Sequence, residues 1–402
     1  RMEVFYKGKK VADLPISAIV DDAPVYNRPR KEPEYLKHVK SFKQENLPQV
    51  DLSEAIKKVL SSPTVAKKSW VYSQYDHEVG TNTVFKPGHD SAVLRLKWTV
   101  RPEVKTEKAI AISSDGNGKW VYLDPYEGGK RVVAEAVRNV YITGAKPLAI
   151  TDCLNWGNPE NPEIMWQFEH ATKGMADACR ELNTPVISGN VSLYNETVLS
   201  DKRVNVYPTP IVVAVGVLDK VEEAIPSFYQ SVGDLIAIVG ETDKEPNIAG
   251  SEYLKEIFDT VAGDIGQISL KTEKKLMEFI HKNKDKIKSA HDVSDGGLIT
   301  ALLEPAFGEN QKLGLELNIE TKYRPDFELF DELRSIVVIS LKEKDLNILE
   351  EEAKNSGLGF KVVGKVLPED RVLLKVNEKV IFEESLNNLK NLYENGFSKL
   401  IG

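Results

Sequence analysis

Short apolar runs separated by helix-length segments constrain this chain more than any other feature. Ala109-Ile110-Ala111-Ile112, Leu148-Ala149-Ile150-Thr151, Ile211-Val212-Val213-Ala214-Val215 and Leu235-Ile236-Ala237-Ile238-Val239 read as buried strands. Further strands are expected at 92–98, 335–341 and 359–366, and helices at 128–143, 162–181, 272–284, 296–306 and 343–355. Gly144 stops the first of these helices as a C-terminal cap. Such alternation implies an α/β or α+β fold. At 402 residues the chain is long enough for two or three domains.

The two ends of the chain resemble each other. Glu3-Val4-Phe5-Tyr6, Lys7-Gly8-Lys9-Lys10 and Val11-Ala12-Asp13-Leu14 read as strand, turn, strand. So do Val372-Leu373-Leu374-Lys375-Val376, Asn377-Glu378-Lys379 and Val380-Ile381-Phe382. The simplest inference is a fragment of a longer, duplicated protein that begins inside the last hairpin of an upstream domain. An unrelated N-terminal hairpin is the alternative. Residues 22–50, rich in Pro, Lys and Glu, read as a linker. The expected division is therefore 1–50, the end of an upstream α/β domain plus a linker, then a domain at 51–218 and another at 219–402.

Composition excludes several functions. A net charge of −8 argues against a nucleic-acid or acidic-membrane surface. No apolar stretch approaches the ~20 residues of a membrane helix, and the first residues lack a signal peptide's hydrophobic region. With only Cys153 and Cys179, no disulfide framework holds the fold, and a reducing, cytoplasmic setting is expected.

Four polar segments carry candidate chemistry. Asp152 follows the strand at 148–151 directly, where a carboxylate meets a nucleotide or metal, or closes an Asx-turn. After Pro185-Val186-Ile187 comes Ser188-Gly189-Asn190-Val191-Ser192-Leu193-Tyr194-Asn195-Glu196-Thr197. Here Gly189 would let backbone N–H groups approach phosphate, Asn190 would offer a carbonyl oxygen to Mg²⁺, and Ser192 would donate to a substrate phosphate. A polar turn is the plainer alternative.

His291-Asp292-Val293-Ser294-Asp295-Gly296-Gly297-Leu298 is either a metal-ligating Asp292 beside a phosphate loop or a helix start capped by Ser294 or Asp295; the structural role is preferred. Ser114-Asp115-Gly116-Asn117-Gly118-Lys119 matches no Walker pattern and reads as a turn before a strand at 120–123. His77, beside Asp76 and Glu78, reads as a surface residue. Neither cysteine has a glutaminase context.

Taken in order, these motifs resemble one family. Gln74-Tyr75-Asp76-His77 with Gly80-Thr81, Gly144-Ala145-Lys146-Pro147, Asp152 with Asn155-Trp156-Gly157-Asn158-Pro159, the 188–197 segment, Gly250-Ser251-Glu252-Tyr253 and the 291–298 segment are similar to the PurL family, the synthetase subunits of phosphoribosylformylglycinamidine synthase. The resemblance implies the duplicated two-domain architecture of the aminoimidazole ribonucleotide synthetase superfamily. This chain would hold the end of the first half and the whole second half, with 51–218 as an ATP-binding-type domain.

It implies an ATP- and Mg²⁺-dependent ligase acting on formylglycinamide ribonucleotide. Ammonia would come from a separate glutaminase subunit, bridged by a small third subunit. By the same resemblance Asp152 and Gly189 contact ATP, Asn190 binds Mg²⁺ and Ser192 contacts substrate. The family's catalytic histidine lies in the first half, so it is assigned neither to His77 nor to His291, and this chain alone is expected to be inactive. The Asp115 and Asp292 regions would belong to a second, pseudo-symmetric nucleotide site and are left out of the first. Two alternatives stand: a related synthetase or kinase of the same superfamily, and a non-catalytic nucleotide-binding scaffold.

Overall fold

A computed structural model describes residues 1–96, 105–200, 202–308 and 313–401. Lys97 and Trp98, the end of the strand expected at 92–98, lie outside the described residues. A hairpin of β1 (Met2–Tyr6) and β2 (Lys9–Leu14) comes first. The strands β3 (Thr83–Phe85), β4 (Ala92–Arg95), β5 (Ala109–Asp115), β6 (Lys146–Asn155) and β7 (Val186–Ser192) follow. After a small hairpin of β8 (Glu196–Leu199) and β9 (Lys202–Asn205) comes β10 (Thr209–Leu218). Six of these form one sheet in the order β3-β4-β5-β10-β6-β7, with β6 and β7 parallel and every other pair antiparallel.

The second sheet uses β11 (Leu235–Gly240), β12 (Ile287–Asp292), β13 (Gly314–Ile319), β14 (Ile336–Leu341), β15 (Gly359–Leu367), β16 (Val372–Val376) and β17 (Lys379–Glu384). Its order is β12-β14-β11-β15-β13-β16-β17, with β13 and β16 parallel. The mixed α/β architecture expected from the alternation of strands and helices is thus present. No helix among the described residues is long and apolar enough to cross a membrane.

Helices Pro125–Tyr141 and Pro162–Leu182 cover one face of the first sheet. Each starts on a side-chain cap followed by proline: Asp124 accepts from the Glu127 N–H, and Asn161 from the Glu163 N–H. Period-two alternation on β10 turns Val212, Ala214 and Leu218 into this core. The opposite face carries Ile211, Val213, Val215 and Val217, each only half-buried.

The core does not stop at the domain boundary. Leu276, Phe279 and Ile280 of helix Leu270–Asn283, with Val337 and Ile339 of β14, belong to the same cluster as Val137 and Tyr141. A second cluster lies across the other face of the second sheet. It takes in Ile56, Val59 and Leu60 of helix Leu52–Leu60, which therefore packs with the C-terminal domain although its sequence lies in the 51–218 segment.

Three local expectations are corrected. Residues 22–50 are more than a linker: helix Tyr35–Lys40 buries Leu36 and Val39. Its Tyr35 ring stacks on Tyr122 at 4.2 Å, and Gln44 bonds to both Pro246 O and the Ile248 N–H, so the segment ties both domains together. The stretch at 120–123 is helical, not a strand. Asn117 caps helix Gly118–Leu123 by accepting from the Trp120 N–H, and tertiary burial of Trp120, Val121 and Leu123 outweighs their strand propensity. Helix Gly297–Leu303 is capped by neither Ser294 nor Asp295. It starts at Gly296 (φ +86°), whose N–H is taken by the Glu332 carboxylate at 2.7 Å. Gly144, at φ +84°, does follow the helix at 125–141 as a left-handed stop.

The two terminal hairpins match in register. Met2 pairs with Leu14 as Val372 does with Glu384, and Tyr6 with Lys9 as Val376 with Lys379. Both pairings shift register at the same step, between Val4 and Phe5 and between Leu374 and Lys375. Both turn on two residues of positive φ, Lys7-Gly8 and Asn377-Glu378.

Candidate active site

The segments singled out by sequence meet at the exit of β6 and β7. In their parallel register Asp152 lies opposite Gly189, Cys153 opposite Asn190, and Asn155 opposite Ser192. A side chain on Gly189 would put its Cβ 2.2 Å from Asp152 Oδ1, so it would have to push that carboxylate aside. Asp152 also lies opposite Val212, on the helix-covered face, and burial raises its pKa.

The four residues do not converge on one side. Successive strand residues alternate faces, so Asn190 and Ser192 project from the face opposite Asp152. They share that face with Cys153 and Asn155, which pair across β10 with Ile211 and Thr209. Ser192 is already engaged: its hydroxyl bonds Asn195 Oδ1 at 3.3 Å, and Asn195 Nδ2 donates to Trp156 O at 2.9 Å. This knits the 192–195 turn to the loop after β6.

A second cluster, assembled from distant parts of the chain, lies at the seam between the domains. His291 sits between two carboxylates, with Nδ1 2.8 Å from Asp90 and Nε2 2.8 Å from Glu304. Burial opposes charge on His291, but these two partners outweigh it and raise its pKa well above the ordinary value. Ser227 donates its hydroxyl to Asp90. One ligand atom from each of Asp90, His291 and Asp292 falls within 4.8 Å of the others.

Nearby, Arg138 forks onto Glu273 at 2.5 and 3.1 Å, and Tyr141 donates to the same carboxylate at 3.1 Å. Burial, then Asp90, pushes Asp292 up to about 8. Burial, then Asp295, pushes Asp115 up to about 7. Asp292 Oδ2, Asp115 Oδ2 and Asn139 Oδ1 are buried without a hydrogen-bond partner among the described residues. Such crowded oxygens, without donors to bond them, are the set a hard divalent cation takes, displacing the protons that burial holds on the two carboxyls. The seam opens into a cleft of about 580 Å³ lined by Gly116, Asn117, Lys119, Glu252 and Asp295, in which Lys119 and Glu252 form a buried ion pair.

Sequence reading passed over Asp90, Asn139 and Glu135, whose carboxyl is raised well above the ordinary range by burial and then by the neighbouring Asp115. The one available signal was the i, i+4 spacing of Glu135 and Asn139 beside Arg138 on the helix at 125–141. His77 is exposed, edge-on to Tyr72 at 6.4 Å, as expected.

Residues 88–218 match the family described as AIR synthase related protein, N-terminal domain, and residues 231–377 match its C-terminal domain. The two domains of this chain are thus those of an AIR synthase related protein. Over 99% of its length the chain is 52% identical to the phosphoribosylformylglycinamidine synthase subunit PurL of Aquifex aeolicus, of which it covers 53%. It is 43% identical to that of Carboxydothermus hydrogenoformans, covering 99% of this chain and 52% of that protein. The chain belongs to the PurL family, and it spans about half the length of the curated relatives it matches.

In fold it is similar to Thermotoga maritima PurL complexed with FGAR, with a TM-score of 0.66 at 18% identity over 89% of this chain and 56% of that one. For T. maritima PurL complexed with ATP the TM-score is 0.63 at 19% identity, over 90% and 55%.

Proposed function

We propose that this chain works within an ATP-dependent amidine-forming ligase of de novo purine biosynthesis. ATP transfers its γ-phosphoryl group to the amide oxygen of formylglycinamide ribonucleotide. Ammonia then adds at that carbon and expels phosphate, giving formylglycinamidine ribonucleotide, ADP and phosphate. The observation that carries this reading is 52% identity to a PurL subunit along 99% of the chain.

In this reading Asn190 and Ser192 present a cation ligand and a substrate donor at the exit of β7. Asp152 and Gly189, packed against each other, hold the nucleotide end of the same strand pair. Bound Mg²⁺ would neutralise phosphate charge during transfer. Besides Asn190, Asp292 Oδ2 and Asn139 Oδ1, neither of them hydrogen-bonded, and the adjacent Asp90 fit a cation at the domain seam, where Arg138 lies 3.7 Å from Asp292. Ammonia comes from a separate glutaminase subunit joined by a small bridging subunit, and the setting is cytoplasmic.

Calorimetry with Mg-ATP, with and without the ribonucleotide, tests the reading. Nucleotide affinity that responds to the ribonucleotide is expected. Tight binding that ignores it would leave a nucleotide-binding scaffold instead.

A further inference from the structure

The pleat of β6 and β7 separates the candidate residues into two sets, and one residue on the Asn190 side has no assigned task. Asn155 lies opposite Ser192 and one pleat beyond the Cys153–Asn190 pair. Its side-chain nitrogen donates to Cys153 O at 2.9 Å and to Thr209 O at 3.1 Å. A carboxamide carries two N–H donors and one oxygen. With both donors committed to backbone carbonyls, the amide cannot flip, and Oδ1 is fixed as an acceptor. The contact made to that oxygen is the weak Cys153 thiol at 3.8 Å.

Asn155 is therefore held in one orientation on the face from which Asn190 and Ser192 project. Adjacent strands lie ~4.8 Å apart and alternate residues ~6.6 Å apart, so one small polar ligand spans all three.

We propose that Asn155 Oδ1 is a ligand-facing acceptor of this site, receiving a hydrogen-bond donor from the bound substrates. Asp152, on the opposite face, takes no part in this contact. The inference rests on the function proposed above. Two sources supply such a donor: an N–H of the ribonucleotide's formylglycinamide arm, and a water molecule on the cation. An oxygen with no proton to give suits either one and repels a bare phosphate oxygen, so the triphosphate itself is excluded from this position.

The test is steady-state kinetics of the intact enzyme carrying Asn155→Ala, with Cys153→Leu as a second variant. The leucine adds bulk beside Asn155 on a half-buried face and leaves the Asn155 side chain unchanged. Melting temperature confirms that each variant is folded. If the ribonucleotide supplies the donor, its KM rises about tenfold while the KM for ATP and kcat stay within threefold. If hydrated Mg²⁺ supplies it, the Mg²⁺ concentration for half-maximal rate rises about tenfold instead. Either result supports the proposal.

Should Asn155→Ala fail to fold, the same shifts are expected from Cys153→Leu. All three parameters within twofold of wild type in a folded variant would overturn it, as would a fall in kcat alone. A wild-type protein that binds neither substrate would overturn the proposed function itself, so the two failures are distinguishable.

Discussion

The exit of β6 and β7 and the seam between the domains are built in opposite ways. At the strand exit, small polar groups stand on an edge strand and its neighbour, exposed or half-buried, drawn from two short stretches of chain. At the seam, ionisable groups are packed together, buried or half-buried, and their partners come from positions as far apart as Asp90 and His291. The first arrangement leaves donor atoms available to a ligand at little cost in stability. The second must satisfy its charges internally or take up a cation, because an unpaired buried charge costs several kcal/mol.

The largest effect that would break this contrast belongs to Arg138. Arg138→Ala leaves the buried Glu273 with the Tyr141 hydrogen bond but without its counter-charge, and we expect a loss of about 3–5 kcal/mol in denaturant unfolding. A loss under 1 kcal/mol would mean that the seam does not carry the stability assigned to it.

Next is pH. Asp115 has a folded pKa raised to about 7, above its unfolded value. The protonated form is favoured in the folded state, so this stabilisation is complete at acid pH and is lost as pH rises towards and through 7. Asp115→Asn should therefore gain stability over wild type at pH 8, by up to about 4 kcal/mol, with little gain near pH 4. A gain independent of pH would refute the buried-acid reading.

At the strand exit the effects shrink. Gly189→Ala forces Asp152 aside and should cost about 1–3 kcal/mol. Pairing it with Asp152→Ala should recover about 1 kcal/mol, which a double-mutant cycle measures. Strict additivity would show that the two residues do not hold each other. Ser192→Ala should leave the melting temperature within about 1 °C, because its stability change is expected within about 0.5 kcal/mol, while raising the KM for the ribonucleotide. A normal KM would remove Ser192 from substrate contact.

This same contrast explains what the sequence made legible. Asp152 and the Ser188-Gly189-Asn190 run each follow an apolar strand directly, so local pattern alone located both, and the parallel pairing of their strands brought them together. Local pattern could not say which face each side chain takes. That depends on register with β10, where Asp152 meets Val212 and Asn155 meets Thr209. Asp90 went unread because its partner His291 lies 201 residues away, and Glu135 and Asn139 because helical spacing beside Arg138 says nothing of what packs against that face. Helix Gly118–Leu123 was misread because Asp-Gly and Asn-Gly favour hairpins, whereas here Asn117 caps a helix.

A Mg²⁺ titration of turnover in the intact enzyme bearing Asn190→Ala bears most directly on the central claim that the strand exit holds the reacting substrates. The account predicts a higher half-saturating Mg²⁺ concentration, with lower turnover at saturation and an unchanged melting temperature. A titration curve and turnover equal to wild type would contradict it.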